Sequence, residues 1–327
     1  MCNSRINVAR IITAGIIRRT MSGDTSTSDC GAIYLAFGYE YLVMSIRSAI
    51  SLRKQNPDLP ITVVTNLPVN ENFDDHIPNF GCSNQNALIN NFIVVDDDSE
   101  ENRDYKTSII DYSPYNKSLF LDCDTFIQKN IRSGFRFLQY SDLALVSRPI
   151  PSRSMVDKWE GDIDLEEIPI DDISTFYSGV FFFDKKETED FFKKWNRGYH
   201  QSGSKYDQFS LISAIYQSDI KILPLPVTWN TMSSDVSRYR FFDIGYKFTN
   251  NIKILHQNHH SISRNRDLRQ LEEKIGAHIL DMEQRDIQNH REKFGEKINT
   301  INAVKGELTK NRVTHSIYAR INSIVGN

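Results

Sequence analysis

The chain of 327 residues contains no apolar run approaching the roughly 20 residues needed to cross a bilayer, which excludes an integral membrane protein built on apolar helices. It also lacks a surplus of one charge. Against 39 basic side chains stand 42 acidic ones, a net charge of −3, whereas an open-ended nucleic-acid binder needs a basic excess. Cysteine is scarce. Cys2, Cys30, Cys82 and Cys123 are far apart and show no paired spacing, so neither a zinc site nor a secreted disulfide scaffold fits. Reduced thiols in a cytoplasmic protein are the simplest reading. No internal repeat and no low-complexity tract is present. What the chain does have is length and aromatic content. At 11% aromatic residues it is a packed globular protein, long enough for about two domains and able to bury about three quarters of its unfolded surface.

The first 23 residues carry Arg5, Arg10, Arg18 and Arg19 and no acid before Asp24. This superficially fits a transit peptide. The preferred expectation for residues 1–30 is a disordered extension or a mis-called start with Met21 as initiator, and Thr20–Ser28 reads as a linker. From Gly31 the pattern turns globular. Ala32–Phe37, Ile61–Thr65, Phe92–Val95, Ser118–Leu121, Leu143–Val146 and Val180–Phe183 read as short buried strands. Tyr39–Gln55 has apolar residues at helical spacing and is closed by Pro57 and Pro60. Lys186–Tyr199 and Tyr206–Tyr216 read as later helices, and Ile220–Leu223 and Lys253–Leu255 as strands at the sheet's edge or in a small second sheet. Alternation of strand and helix predicts an α/β fold with a mostly parallel sheet flanked by helices. Ligands of such sheets sit beyond the carboxyl ends of the strands.

At one such end the run Ser118-Leu119-Phe120-Leu121 stops abruptly at Asp122-Cys123-Asp124. If strand geometry persists, the two carboxylates point the same way. Carboxylates that close repel unless a cation lies between them. A hard divalent ion with oxygen ligands suits them, and such ions take further ligands from substrate phosphates.

This segment resembles the Asp-x-Asp signature of nucleotide-sugar glycosyltransferases with the GT-A (Rossmann-like) fold. The resemblance is to glycosyltransferase family 8, the glycogenin and lipopolysaccharide-galactosyltransferase relatives, and covers residues 31–262. Tyr34–Arg53 looks like the family's opening strand and helix. Lys106 stands where a basic residue precedes Asp-x-Asp. Phe176-Tyr177-Ser178-Gly179-Val180-Phe181 looks like a Phe-Asn-x-Gly-Val segment, with Ser178 in place of Asn. Tyr206-Asp207-Gln208 resembles an Asp-Gln pair at a helix start, and Ile254-Leu255-His256 a late strand ending in a metal-binding histidine. The family's lysine shortly after that histidine is missing, and Arg264 is its nearest replacement.

The resemblance implies a metal-dependent hexosyltransferase that moves a sugar from a nucleotide-diphosphate donor, a UDP-sugar, to an acceptor hydroxyl. Asp122, Asp124 and His256 would bind Mn²⁺, with Mg²⁺ as the alternative; a histidine ligand leans towards Mn²⁺. His259 or His260 could replace His256. Phe37, Tyr39 and Tyr41 are the aromatic residues that could stack on the base. Lys106, Asp122, Ser178 and Gly179 would complete the donor site. Asp207 and Gln208 would face the anomeric carbon, although Asp207 could equally be an N-cap. Retention follows from resemblance alone; an inverting enzyme would need a carboxylate base, for which Asp172 and Asp207 are the two candidates.

Two other readings compete. Asp122-Cys123-Asp124 also resembles the haloacid-dehalogenase phosphatase motif, but Phe126 stands where that motif has Thr or Val, and three strands precede it. The other is a non-catalytic UDP-sugar-binding or scaffold protein. Residues 263–327 form a tail with helical apolar spacing. From Ser261 onward the chain carries 12 basic and 9 acidic side chains, and from Lys297 onward five basic and one acidic. The tail reads as an ordinary amphipathic helix packed on the domain, with an acceptor-binding lid, a dimer contact and peripheral contact to the inner membrane face as the alternatives. Expected partners are the nucleotide sugar and a glycan, lipid-linked or protein acceptor, with no nucleic acid.

Overall fold

The structure, a computed structural model, describes residues 17–20, 29–67, 69, 88–96, 102–148, 174–202, 206–232 and 251–257. Most of the N-terminal extension, Asp172, His259, His260, Arg264 and the expected C-terminal helices lie outside the described residues.

The expected α/β architecture is present. An eight-stranded sheet comprises β1 (Ile17–Thr20), β2 (Cys30–Leu35), β3 (Ile61–Thr65), β4 (Asn91–Val94), β5 (Lys117–Leu121), β7 (Leu143–Arg148), β8 (Thr175–Asp184) and β9 (Ile222–Leu225), in the order β1-β4-β3-β2-β5-β8-β7-β9. β4, β3, β2 and β5 run parallel, as do β7 and β9, while β8 is antiparallel to both its neighbours and β1 is antiparallel to β4. The helices are α1 (Tyr39–Gln55), α2 (Asn102–Thr107), α3 (Ile109–Tyr112), α4 (Glu189–Ser202) and α5 (Asp207–Gln217). The expected helix over 39–55 and the strand over 61–65 coincide with α1 and β3. Strand β1 lies inside the expected extension.

The central strands are continuous apolar runs because both faces are covered. Side chains alternate between the faces. Ala32, Tyr34, Leu119, Leu121 and Phe182 join α1 in one core. Ile33, Leu35, Phe120, Phe181 and Phe183 join Phe191, Phe192 and Trp195 of α4, with Leu211 and Ile215 of α5, in the other. Each of these rings, once buried, is worth about 1.5–3 kcal/mol of transfer free energy. Phe181 alone packs against Phe120, Phe183, Phe192 and Trp195.

Strands β2, β3 and β4 are laid down outward in one direction, and β5 then returns to the other side of β2. The order therefore reverses between β2 and β5, which opens a crevice at their carboxyl ends. Gly38, at φ 78°, makes the sharp entry from β2 into α1 and donates its N–H to Asn66 Oδ1 at 2.8 Å. A second sheet of three strands lies at the same end: β10 (Thr231–Met232), β11 (Ile254–His256) and β6 (Thr125–Ile127), with β11 antiparallel to β6 and His256 opposite Thr125.

Candidate metal and donor site

The acid pair does not continue the strand. β5 ends at Leu121, and Asp122–Asp124 turn before β6, with Thr125 donating its N–H (3.2 Å) and its hydroxyl (2.8 Å) to the Asp122 carbonyl. The turn is fastened from below by a hydroxyl chain, Tyr34 to Ser48 at 3.0 Å and Ser48 to Thr125 at 2.9 Å. The two carboxylates nevertheless converge, for a different reason than strand periodicity. The β6–β11 pairing brings His256 across to them. Its Nε2 lies 2.9 Å from Asp124 Oδ1 and 3.8 Å from Asp122 Oδ2. One ligand atom from each of Asp122, Asp124 and His256 falls within 4.8 Å of the others. Gly179 on β8 leaves the room: a Cβ there would come within 2.4 Å of His256 Cε1 and 2.6 Å of Asp122 Oδ2. Two carboxylate oxygens and one imidazole nitrogen, meeting over a residue with no side chain, fit a divalent cation.

Behind the acids sits Lys106, from α2. Its Nζ donates to Asp122 Oδ1 at 3.0 Å and to Ser178 Oγ at 3.3 Å, and pairs with Asp207 Oδ2 at 3.4 Å. Exposure separates the two layers. The Lys106 and Asp207 side chains are 9% and 11% exposed, while Asp122 and Asp124 are 30% and 22% exposed. Asp122 and Asp124 are open to a ligand; the lysine and its second acid form a closed floor.

Burial dominates the electrostatics, and neighbours decide each sign. It pushes Asp122 above the ordinary carboxylate range, against the pull of Lys106 and His256. Burial also works to raise Asp124 and Asp207, but His256 outweighs it for the first and Lys106 with Ser178 for the second, so both are held low. Burial disfavours charge on Lys106 and His256 too. The facing carboxylates overcome it, and both are raised.

A cavity of about 460 Å³ opens in front, walled by Leu35, Tyr41, Arg103, Lys106, Asp122, Asp124, Ser178 and Asp207 among others. Of the three aromatic residues expected at the base, Tyr41 lines it. Tyr39 is buried in the core, and Phe37 is buried against Tyr105 with ring centroids 4.5 Å apart. Asp207 begins α5 but makes no side-chain cap; the capping position is Tyr206. Gln208 is not on the cavity wall: its Nε2 donates to the Phe176 carbonyl at 2.7 Å.

Sequence reasoning missed Arg103 and Asn230. Arg103 lines the cavity and lies over the Tyr206 ring at 5.4 Å. Its place one helical turn before Lys106 was the available signal. Asn230 is fully buried and meets His256 Nδ1 at 2.9 Å; nothing in its local sequence pattern marks it.

No family model matches the chain, and no curated protein sequence does. Solved structures do. The chain is similar to the apo form of mouse xyloside xylosyltransferase 1, at 13% identity over 71% of this chain and 98% of that one, with a TM-score of 0.44. It is similar to the galactosyltransferase LgtC in complex with donor and acceptor sugar analogues, at 14% identity over 78% and 98%, TM-score 0.45. It is also similar to the apo form of the glycosyltransferase GlyE of Streptococcus pneumoniae TIGR4, at 16% identity over 83% and 64%, TM-score 0.49.

Proposed function

We propose that the chain is a GT-A glycosyltransferase that transfers a hexose from a nucleoside-diphosphate donor, with uracil as the base, to an acceptor hydroxyl. The observation that carries this reading is the convergence of Asp122, Asp124 and His256 at the carboxyl end of β5, beside a cavity floored by Lys106 and Asp207. Mn²⁺ suits the mixed oxygen and nitrogen donors better than Mg²⁺. An ion held there supplies Lewis-acid stabilisation to a departing diphosphate.

The remaining work falls to side chains. Tyr41 is the cavity-lining aromatic residue suited to stack on a base. Lys106 neutralises two neighbouring acids and keeps them from repelling one another. Asp207 and Ser178 present oxygen atoms to sugar hydroxyls. Because Lys106 and Ser178 hold Asp207 low, its carboxylate is a poor general base, whose ideal value lies near neutrality. That favours retention over an inverting mechanism using Asp207. A cytoplasmic setting belongs to the same reading and is supported by cysteines that are scarce and show no paired spacing.

The test is a screen of nucleotide sugars by nucleotide release, with Mn²⁺ or with EDTA, followed by NMR of the product's anomeric configuration. Asp124→Ala is expected to lower metal-dependent turnover by about 10³-fold, the scale of a several kcal/mol loss of charge stabilisation. Turnover that survives both EDTA and Asp124→Ala overturns the proposal.

The pH dependence has a definite sign. In the metal-free fold His256 is raised above 6.5. The stability it contributes is complete below 6.5 and is lost as pH rises through its higher folded value. Asp124 and Asp207 are lowered from 3.8, so their contribution is present above 3.8 and is lost as pH falls through the lower folded values. A cation must displace the imidazole proton. Calorimetric Mn²⁺ titrations from about pH 6 to about pH 8 should therefore show affinity rising by up to about tenfold per unit. A flat profile would contradict the assignment of His256.

A further inference from the structure

We infer that Asn230 is a positioning residue that fixes which nitrogen of His256 is offered to the cation, an inference that rests on the metal-site reading above. His256 has two ring nitrogens, and only one faces the carboxylates. Nε2 points at Asp124 and Asp122, and Nδ1 lies 2.9 Å from Asn230 Oδ1. An amide oxygen accepts and cannot donate. The partner on Nδ1 must therefore keep its hydrogen, and the lone pair left for a cation is the one on Nε2.

Three features show that Asn230 is held for this purpose. It terminates the 3₁₀ turn Val227–Trp229, with its N–H donating to the Val227 carbonyl at 3.1 Å, and Thr231 Oγ1 donates to that carbonyl at 2.9 Å. It directly precedes β10, whose residues Thr231 and Met232 pair in parallel with Leu255 and His256. The amide and the imidazole thus ride on one small sheet and move together. Finally, Asn230 is fully buried, yet its Nδ2 has no hydrogen-bond partner among the described residues. A buried orphan donor works against folding. The amide is thus poorly explained by stability and well explained by the ring it orients.

The test compares Mn²⁺ affinity, read by EPR of free ion without any turnover, for the wild type, Asn230→Leu and Asn230→Asp. Leucine keeps the volume and removes the acceptor; aspartate keeps an acceptor on Nδ1–H. Asn230→Leu should bind Mn²⁺ about 10–100-fold more weakly, the usual cost of losing such a partner, while Asn230→Asp stays within about threefold of wild type or binds more tightly. Equal weakening in both variants, or none in Asn230→Leu, overturns the inference. A second measurement needs no variant fold. In ¹⁵N-labelled wild-type protein loaded with Zn²⁺, the His256 spectrum should show Nδ1 protonated and Nε2 metal-bound, with the reverse tautomer refuting the inference. If wild type binds no Mn²⁺ at all, the metal-site reading itself fails, which is a different result from failure of the Asn230 assignment.

Discussion

Replacing Lys106 with methionine is expected to cost about 3–5 kcal/mol of stability, the penalty for stranding a buried charge by removing its partner. The loss of one cation leaves two acids behind. Asp122 and Asp207 lie 3.0 and 3.4 Å from Nζ, and Asp207 already has an oxygen without a hydrogen bond among the described residues. Methionine retains much of the aliphatic stem above the Phe120 ring, over which Nζ sits at 5.1 Å, so the effect isolates the charge. For a domain of this size the loss corresponds to roughly 6–20 °C in Tm, read by circular dichroism. Adding Asp207→Asn should restore much of it by removing one stranded charge, a coupling expected of residues sharing one network. A single-variant Tm within about 2 °C of wild type would show that water already reaches these acids.

Gly179→Ala is expected to abolish metal binding while leaving the fold nearly intact. Gly179 does not need glycine for its backbone; the described glycine with positive φ is Gly38. Its requirement is space. An added methyl would meet His256 Cε1 at 2.4 Å, Asp122 Oδ2 at 2.6 Å and His256 Nδ1 at 2.9 Å. Asp122 is tied through its own N–H to the Gly179 carbonyl at 2.8 Å, so the histidine must give way. A displacement of about 1 Å at such a centre costs about 10²-fold or more in activity. Gly198→Ala is the matched control, since its nearest neighbour, Ser210 Cβ, is 3.4 Å away and alanine suits a helix. Gly179→Ala that binds Mn²⁺ normally would place the cation elsewhere.

Much of this architecture was legible in the sequence, for reasons that can be stated locally. Tyr39–Gln55 combines helical spacing with proline breakers just beyond its end. Ile61–Thr65 is a run of β-branched residues between turns. The crevice followed from strand ends, and Asp122 and Asp124 from an abrupt polarity change. The small sheet was less visible, because β6 and β10 are three and two residues long and so short a strand has no period. The base-stacking residue could not be chosen because aromatic side chains after a strand serve core and ligand equally. Phe37 and Tyr39 went to the core, and Tyr41 reached the cavity. Likewise Gln208 is turned towards the Phe176 carbonyl, a choice set by β8, whose position no local pattern in α5 reveals. Asn230 meets its partner His256 across 26 residues of chain, and no motif surrounds Asn230 itself.

The histidine of the candidate site arrives on a seam. His256 reaches Asp124 across a chain separation of roughly 130 residues, and contacts so remote are entropically slow to close. Three residue pairs join β11 to β6, beside a main sheet whose central strands are buried on both faces. The seam is nevertheless fastened to that core: Ile127 of β6 and Ile254 of β11 are buried in the same cluster as α1, and Ile127 donates its N–H to Ser51 Oγ at 2.9 Å. The imidazole is therefore placed by the core that holds α1, and a substitution that loosened α1 against β6 would lower cation affinity by the fraction of molecules in which His256 faces the acids. Arg47 gains a role on that account. Reaching from α1, it donates to Gln257 Oε1 at 2.6 Å and lies over the Phe126 ring at 5.4 Å, tying α1 to β6 and to the residue that follows β11.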